Sequence, residues 1–168
     1  VVPNSMAKQK GTNVTLVKGE KIKYPSNVGN YSTNYFYVNG KIAYCLESPK
    51  SSPPDSDYIA NILETNAKLQ KVLYYGYGGP GDLTGEYLSH LDVDTRYIYT
   101  HIAASYAYIG NAGFVGCTEE SLRASGVLDY IDYLFAQEAP PTAAISLSSD
   151  YETAYLDKDL QRTEKHLN

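Results

Sequence analysis

An α+β fold, with an antiparallel β-sheet or sandwich core and an inserted helical subdomain, is what this sequence predicts. Three observations carry that expectation. Strand-like alternation fills much of the first fifty residues and centres on an Asn-Gly turn. Apolar residues at helical spacing then run through the middle of the chain. Strand chemistry returns near the end. With 168 residues, 43% of them hydrophobic, the chain is long enough to bury one core, and it reads as a single domain over 1–168.

The elements follow in order. Residues 1–11 show no periodicity and read as a flexible tail. Residues 12–50 read as strands: short ones at 13–17 and 22–24 around Lys18-Gly19-Glu20, then a hairpin. In that hairpin Asn39-Gly40 separates Tyr35-Phe36-Tyr37-Val38 from Lys41-Ile42-Ala43-Tyr44-Cys45-Leu46, and both turn residues tolerate positive φ. Alternation places Ile42, Tyr44 and Leu46 on one face and Ala43, Cys45 and Glu47 on the other. A Pro/Ser-rich break covers 48–57. The helical part is expected over 55–138. Its first helix takes in Tyr58, Ile59, Ile62, Leu63, Leu69, Val72 and Leu73, capped by Asp55, Ser56 or Asp57. A second helix is capped by Asp92 or Asp94 and runs to Tyr108. A third opens at Thr118-Glu119-Glu120, restarts after Gly126 and stops before Pro140-Pro141. Strands return within 142–160, at 144–148 and 152–156.

Composition excludes several classes of function. A net charge of −5 argues against nucleic acid or an anionic membrane as the main partner. No apolar run is long enough to span a bilayer, so no membrane insertion by this domain is expected. The start lacks a basic-then-apolar segment, so a secretion signal is absent or already removed. Eighteen tyrosines against three phenylalanines and no tryptophan point to a secreted or surface-exposed chain, since tyrosine offers apolar area with a polar tip. Many of those rings are expected to rim the core.

Several motifs carry chemistry only in the right context. Gly76-x-Gly78-x-x-Gly81 has the letters of a dinucleotide fingerprint, but it follows a helical pattern and contains Pro80. A true fingerprint leaves a strand and opens a helix, so this one reads as a turn. His90-x-Asp92-x-Asp94 offers metal-type ligands, and a polar loop capping a helix explains the same residues. No metal, nucleotide or other cofactor is expected. The Gly-x-Ser-x-Gly elbow of a serine hydrolase is missing. Asn13-Val14-Thr15 and Asn30-Tyr31-Ser32 are glycosylation sequons. Cys45 reads as a small core residue, as half of a disulfide with Cys117, or as a thiol paired with His101. His101 lies on a helix whose stripes are Ile98, Ile102, Tyr106, Ile109 and Tyr97, His101, Ala104, Tyr108.

Tyr44-Cys45-Leu46-Glu47, then Leu69-Gln70-Lys71-Val72-Leu73-Tyr74-Tyr75-Gly76-Tyr77, then Thr100-His101-Ile102-Ala103 resemble the thioester (TQXA) domains of Gram-positive surface adhesins. The resemblance is firm over 35–108. In that family the strand cysteine and the glutamine of a Thr-Gln-x-Ala helix join with loss of ammonia, storing an acyl group that captures an amine of the host partner. Here the family glutamine falls on His101, and an imidazole has no carbonyl to become that acyl group.

The resemblance implies an extracellular adhesin domain of a cell-wall-anchored or pilus-tip surface protein, joined to further domains, and not an enzyme. Its partner would be a host cell-surface or matrix protein or a glycan. Cys45 and His101 would mark the reactive-site positions, with Tyr44, Glu47 and Thr100 as binding residues. Two other chemistries stay open. Cys45 can form an internal thioester with another glutamine (Gln9, Gln70, Gln137 or Gln161), or His101 can lower its pKa and activate it.

Overall fold

The computed structural model describes residues 12–46, 56–63, 66–141, 145–148 and 153–156. The expected tail at 1–11 lies outside them, as does Glu47. Six described strands are β1 (Thr12–Lys23), β2 (Ser32–Val38), β3 (Lys41–Cys45), β4 (Ser56–Leu63), β5 (Ile145–Ser148) and β6 (Thr153–Leu156). The described helices are α1 (Ala67–Tyr75), α2 (Thr84–Tyr87), α3 (Val93–Ile109), α4 (Glu119–Ala124) and α5 (Val127–Phe135), with a 3₁₀ turn over Gly110–Gly113. The fold is α+β, with the helices inserted between β4 and β5.

The sheet is antiparallel and closes on itself as a barrel in the order β1-β2-β3-β6-β5-β4. Among the described residues, closure leaves no strand edge open to a second chain. The β2–β3 turn is as the sequence predicts: Asn39 has φ 52° and Gly40 φ 80°. Asn39 also ties the turn to β1, accepting from the Thr15 N–H at 2.9 Å and donating its own N–H to the Thr15 carbonyl at 2.9 Å.

The two short strands expected around Lys18-Gly19-Glu20 are one long strand, β1, whose register against β2 shifts between Lys18 and Lys21. That irregularity changes which face is buried. Before it, Val14 and Leu16 join Phe36, Val38, Ala43 and Cys45 in a small cluster built from strands alone. After it, Ile22 and Tyr24 turn to the larger core shared with the helices. An extra residue in one strand does this because side chains alternate with a period of two.

The helix expected from Tyr58 is a correction. Ser56–Leu63 is strand β4, and the first helix begins only at Ala67. The cap is Asn66, whose side chain accepts from the Leu69 N–H at 2.9 Å, in place of Asp55, Ser56 or Asp57. A short apolar run reads equally well as strand or helix. Here pairing decides, because β4 bonds to β1 along Ser56–Ala60 and to β5 along Ala60–Leu63. The other caps are where the sequence puts them. Asp92 accepts from the Thr95 N–H, Thr118 and Ser121 form a capping box, and Gly126 has φ 90° between α4 and α5.

Helix α3 is buried along nine successive residues from Tyr97 to Ser105. Two neighbouring stripes therefore understate its burial. It lies between β3 on one side and α1 and α5 on the other, so every face meets apolar neighbours. Among the described residues, no helix is long and apolar enough to cross a membrane.

Candidate functional site

Strand β3 ends at Cys45, bonded to β2 through Ala43 and to β6 through Tyr44 and Cys45. Both faces of this strand are covered. Tyr44 and Leu46 enter the helix-side core, and Ala43 and Cys45 enter the strand cluster. The face carrying Cys45, which alternation marks as the less greasy one, is thus buried too, and Cys45 is 6% exposed.

Helix α3 is pinned across this strand by polar contacts. The Tyr97 hydroxyl lies 2.8 Å from the Ala43 carbonyl and 3.2 Å from that of Asn34, and it accepts from the Phe36 N–H at 3.2 Å. The Ser105 hydroxyl donates to the Cys45 carbonyl at 3.3 Å. Ser105 is one helical turn beyond His101, so both project from the same side of α3. Neither Tyr97 nor Ser105 is singled out by the sequence reading, although the i+4 spacing from His101 points to Ser105.

His101 is 2% exposed, and burial lowers its imidazole pKa to about 4. It is therefore neutral at physiological pH. Its ring meets Tyr24 edge-on at 6.3 Å, and Tyr24 in turn meets Tyr31 at 5.6 Å. Burial raises the Tyr24 phenol pKa well above its ordinary value, with Cys117, Tyr31 and Cys45 adding to the rise. Tyr24 thus stands within electrostatic reach of both cysteines. Cys45 and Cys117 are thiols, not a disulfide. Cys117 packs against Gly29, where an added Cβ would come within 2.6 Å of its sulfur, and burial raises its pKa to about 11.

The residues just before Cys45 and His101 share one task. The Tyr44 hydroxyl donates to the Tyr77 carbonyl at 2.6 Å, and the Tyr77 N–H donates to the Thr100 hydroxyl oxygen at 3.1 Å. The Thr100 hydroxyl donates to the Arg96 carbonyl at 2.9 Å and lies 2.8 Å from the Tyr130 hydroxyl. The backbone of one residue of the glycine loop, Tyr77, is therefore held between β3 and α3 through the two peptide groups that flank it. The loop fits only as glycine at its first position, since a Cβ on Gly76 would stand 2.4 Å from the Val72 carbonyl oxygen and 2.5 Å from Thr100 Cγ2. Its place after α1 agrees with the turn reading of the Gly76-x-Gly78-x-x-Gly81 motif. Tyr44 is 2% exposed and Thr100 fully buried, so both act on the site from within. In the other polar motif, Asp92 caps α3, and Asp94 accepts from the Tyr35 hydroxyl.

Replacing Thr100 with Val is expected to destabilise the protein by about 2–4 kcal/mol, because the Tyr77 N–H and the Tyr130 hydroxyl lose a buried partner while the shape is kept. Urea unfolding measures this, and a cost within error of zero would remove the clamp's structural role.

A family model described as a thioester domain matches residues 13–141 of this chain. The fold is similar to that of the N-terminal thioester domain of a surface protein from Clostridium perfringens. That match has a TM-score of 0.57 at 16% identity and covers 85% of this chain and 97% of the other. No curated protein matches the chain.

Proposed function

Because the chain belongs to the thioester-domain family, we propose that it is the adhesive domain of an extracellular, cell-wall-anchored surface protein or pilus tip. It binds a host surface or matrix protein, or a glycan, and does so without a Cys-Gln thioester. The observation that carries this reading is the identity and burial of His101. The resemblance of Thr100-His101-Ile102-Ala103 to the family motif puts the glutamine's place at position 101. The imidazole there is 2% exposed and, with burial lowering its pKa to about 4, neutral at physiological pH.

The chemistry follows from atoms. A thioester forms when a thiolate sulfur attacks a carboxamide carbon, the C–N bond breaks and ammonia leaves with the thiol proton. His101 supplies no such carbon. Nor does it supply a positive charge near neutral pH, which an activated Cys45–His101 ion pair would require. Among the alternative glutamines, Gln137 donates its side-chain amide to the Tyr133 carbonyl at 2.9 Å, at the end of α5. In this reading Tyr44 and Thr100 hold the walls of the site, and Glu47 contacts the partner.

Two measurements test it together. The intact mass of the purified protein should equal the sequence mass and stay unchanged in methylamine. Binding to immobilised host-matrix proteins or glycans should survive Cys45→Ala and be lost on denaturation. A mass short by one ammonia, or a complex that persists in hot detergent, would establish covalent attachment and defeat the noncovalent reading.

A further inference from the structure

A second surface lies away from the Tyr77 clamp. A groove of about 600 Å³ runs between the end of α3, the 3₁₀ turn, α4 and α5. Tyr106 and Phe114 line one part of it, stacked 4.9 Å apart with ring planes 2° from parallel. Leu128 and Ile131 supply apolar lining, and Cys117 borders it. A second depression over α4, between Glu119, Glu120, Arg123 and Ala124, shares Glu119 and Arg123 with the groove and so adjoins it. Its volume suits a short peptide segment or a few side chains.

The charge around it is one-sided. Arg123 is engaged by Glu119 at 2.8 Å, one turn away on α4. Among the described residues, neither Glu120 nor Asp132 has an ion-pair partner, and both are exposed. The rim therefore presents net negative charge beside the two stacked rings, which offer apolar area to the stems of long side chains.

We propose that this groove binds an extended peptide bearing lysine or arginine side chains, the apolar residues between them seated on Leu128 and Ile131. Aliphatic stems pack along the rings while the charged heads reach Asp132 and Glu120. Arg123, neutralised by Glu119, does not oppose them. The proposal stands on this groove alone. Loss of host adhesion with peptide binding intact would count against the adhesin reading only.

The test uses the whole chain and two blocked pentapeptides, Ala-Lys-Leu-Lys-Ala and Ala-Glu-Leu-Glu-Ala. Cys117 reports occupancy through its rate of alkylation by iodoacetamide, read peptide by peptide so that Cys45 is scored separately. The basic peptide should slow Cys117 alkylation and the acidic one should leave it unchanged. Asp132→Lys reverses an exposed charge, and should weaken the basic peptide about tenfold. Tyr106→Leu keeps apolar bulk where Phe114→Ala risks unfolding, and should weaken binding while leaving the salt dependence in place. Equal effects of the two peptides, no protection of Cys117, or unchanged affinity in Asp132→Lys would each overturn the proposal.

Discussion

His101→Gln is expected to convert the purified protein, without any added reagent, into a form lighter by one ammonia. The substitution gives α3 a Thr-Gln-x-Ala pattern at 100–103, and glutamine is close to histidine in volume, so the packed site should accept it at modest cost. Cys45 stands at the end of β3, whose carbonyl is bonded to Ser105 on the same side of α3 as position 101. Tyr24, whose ring meets that of His101 at 6.3 Å, is also within electrostatic reach of Cys45. That puts the thiol and position 101 beside one phenol, although Cys45 itself packs in the strand cluster. From there Cys45 Sγ attacks the introduced carboxamide carbon. The C–N bond breaks, and ammonia carries off the thiol proton. Holding both groups on rigid elements makes the step effectively unimolecular, and such placement accelerates reactions by many orders of magnitude. Intact mass reports the result. Methylamine should then add to the variant by opening the thioester, and the His101→Gln/Cys45→Ala double variant should keep its full sequence mass. A single variant with unchanged mass and an alkylatable Cys45 would mean that the pocket no longer aligns thiol and acyl donor.

Acidification is expected to cost the protein up to about 3 kcal/mol of stability through His101. In the unfolded chain an imidazole binds its proton near pH 6.5, whereas burial holds His101 to about 4. Between those values the unfolded state binds more protons than the folded one, so stability rises with pH across the window. The contribution is fully present above about pH 6.5 and is lost progressively as pH falls towards 4. About 2.5 pH units at 1.36 kcal/mol each give that magnitude. Tyr24 faces the ring, and its raised phenol pKa keeps it neutral throughout. Asp92 acts in the same direction, but its carboxyl lies below the ordinary range because of its bonds to Thr95, so its loss falls at lower pH. Denaturant midpoints at pH 7 and pH 4.5 measure the effect, and His101→Met, which cannot titrate, should flatten it. Parallel losses in the parent and in His101→Met would show that His101 is not the group that senses acid.

Much of the fold around these residues is legible in the sequence because its signals are local. Asn39-Gly40 demands a tight hairpin, since both residues take positive φ. Asp92 precedes a helical pattern at capping distance and caps it. The glycine run after Tyr75 ends a helix. The motifs around Cys45 and His101 carried the family likeness, because a chemistry that needs a thiol and an acyl donor constrains residue types as well as shape.

What the chain alone left open depended on partners far away in sequence. Residues 56–63 match a helical period as well as a strand, and only the ladders to β1 and β5 made them β4. The register shift in β1 moved Ile22 and Tyr24 from the barrel's strand cluster to the helix-side core, a change that no alternation rule foresees without the position of the bulge. Helix α3 showed two stripes on paper, yet it is buried on all sides because β3, α1 and α5 surround it. The same burial settled the charge state of His101. Its identity was plain from the sequence, whereas its neutrality follows from the loss of water around the ring. Desolvation is a property of every neighbour at once, and so only the tertiary structure could supply it.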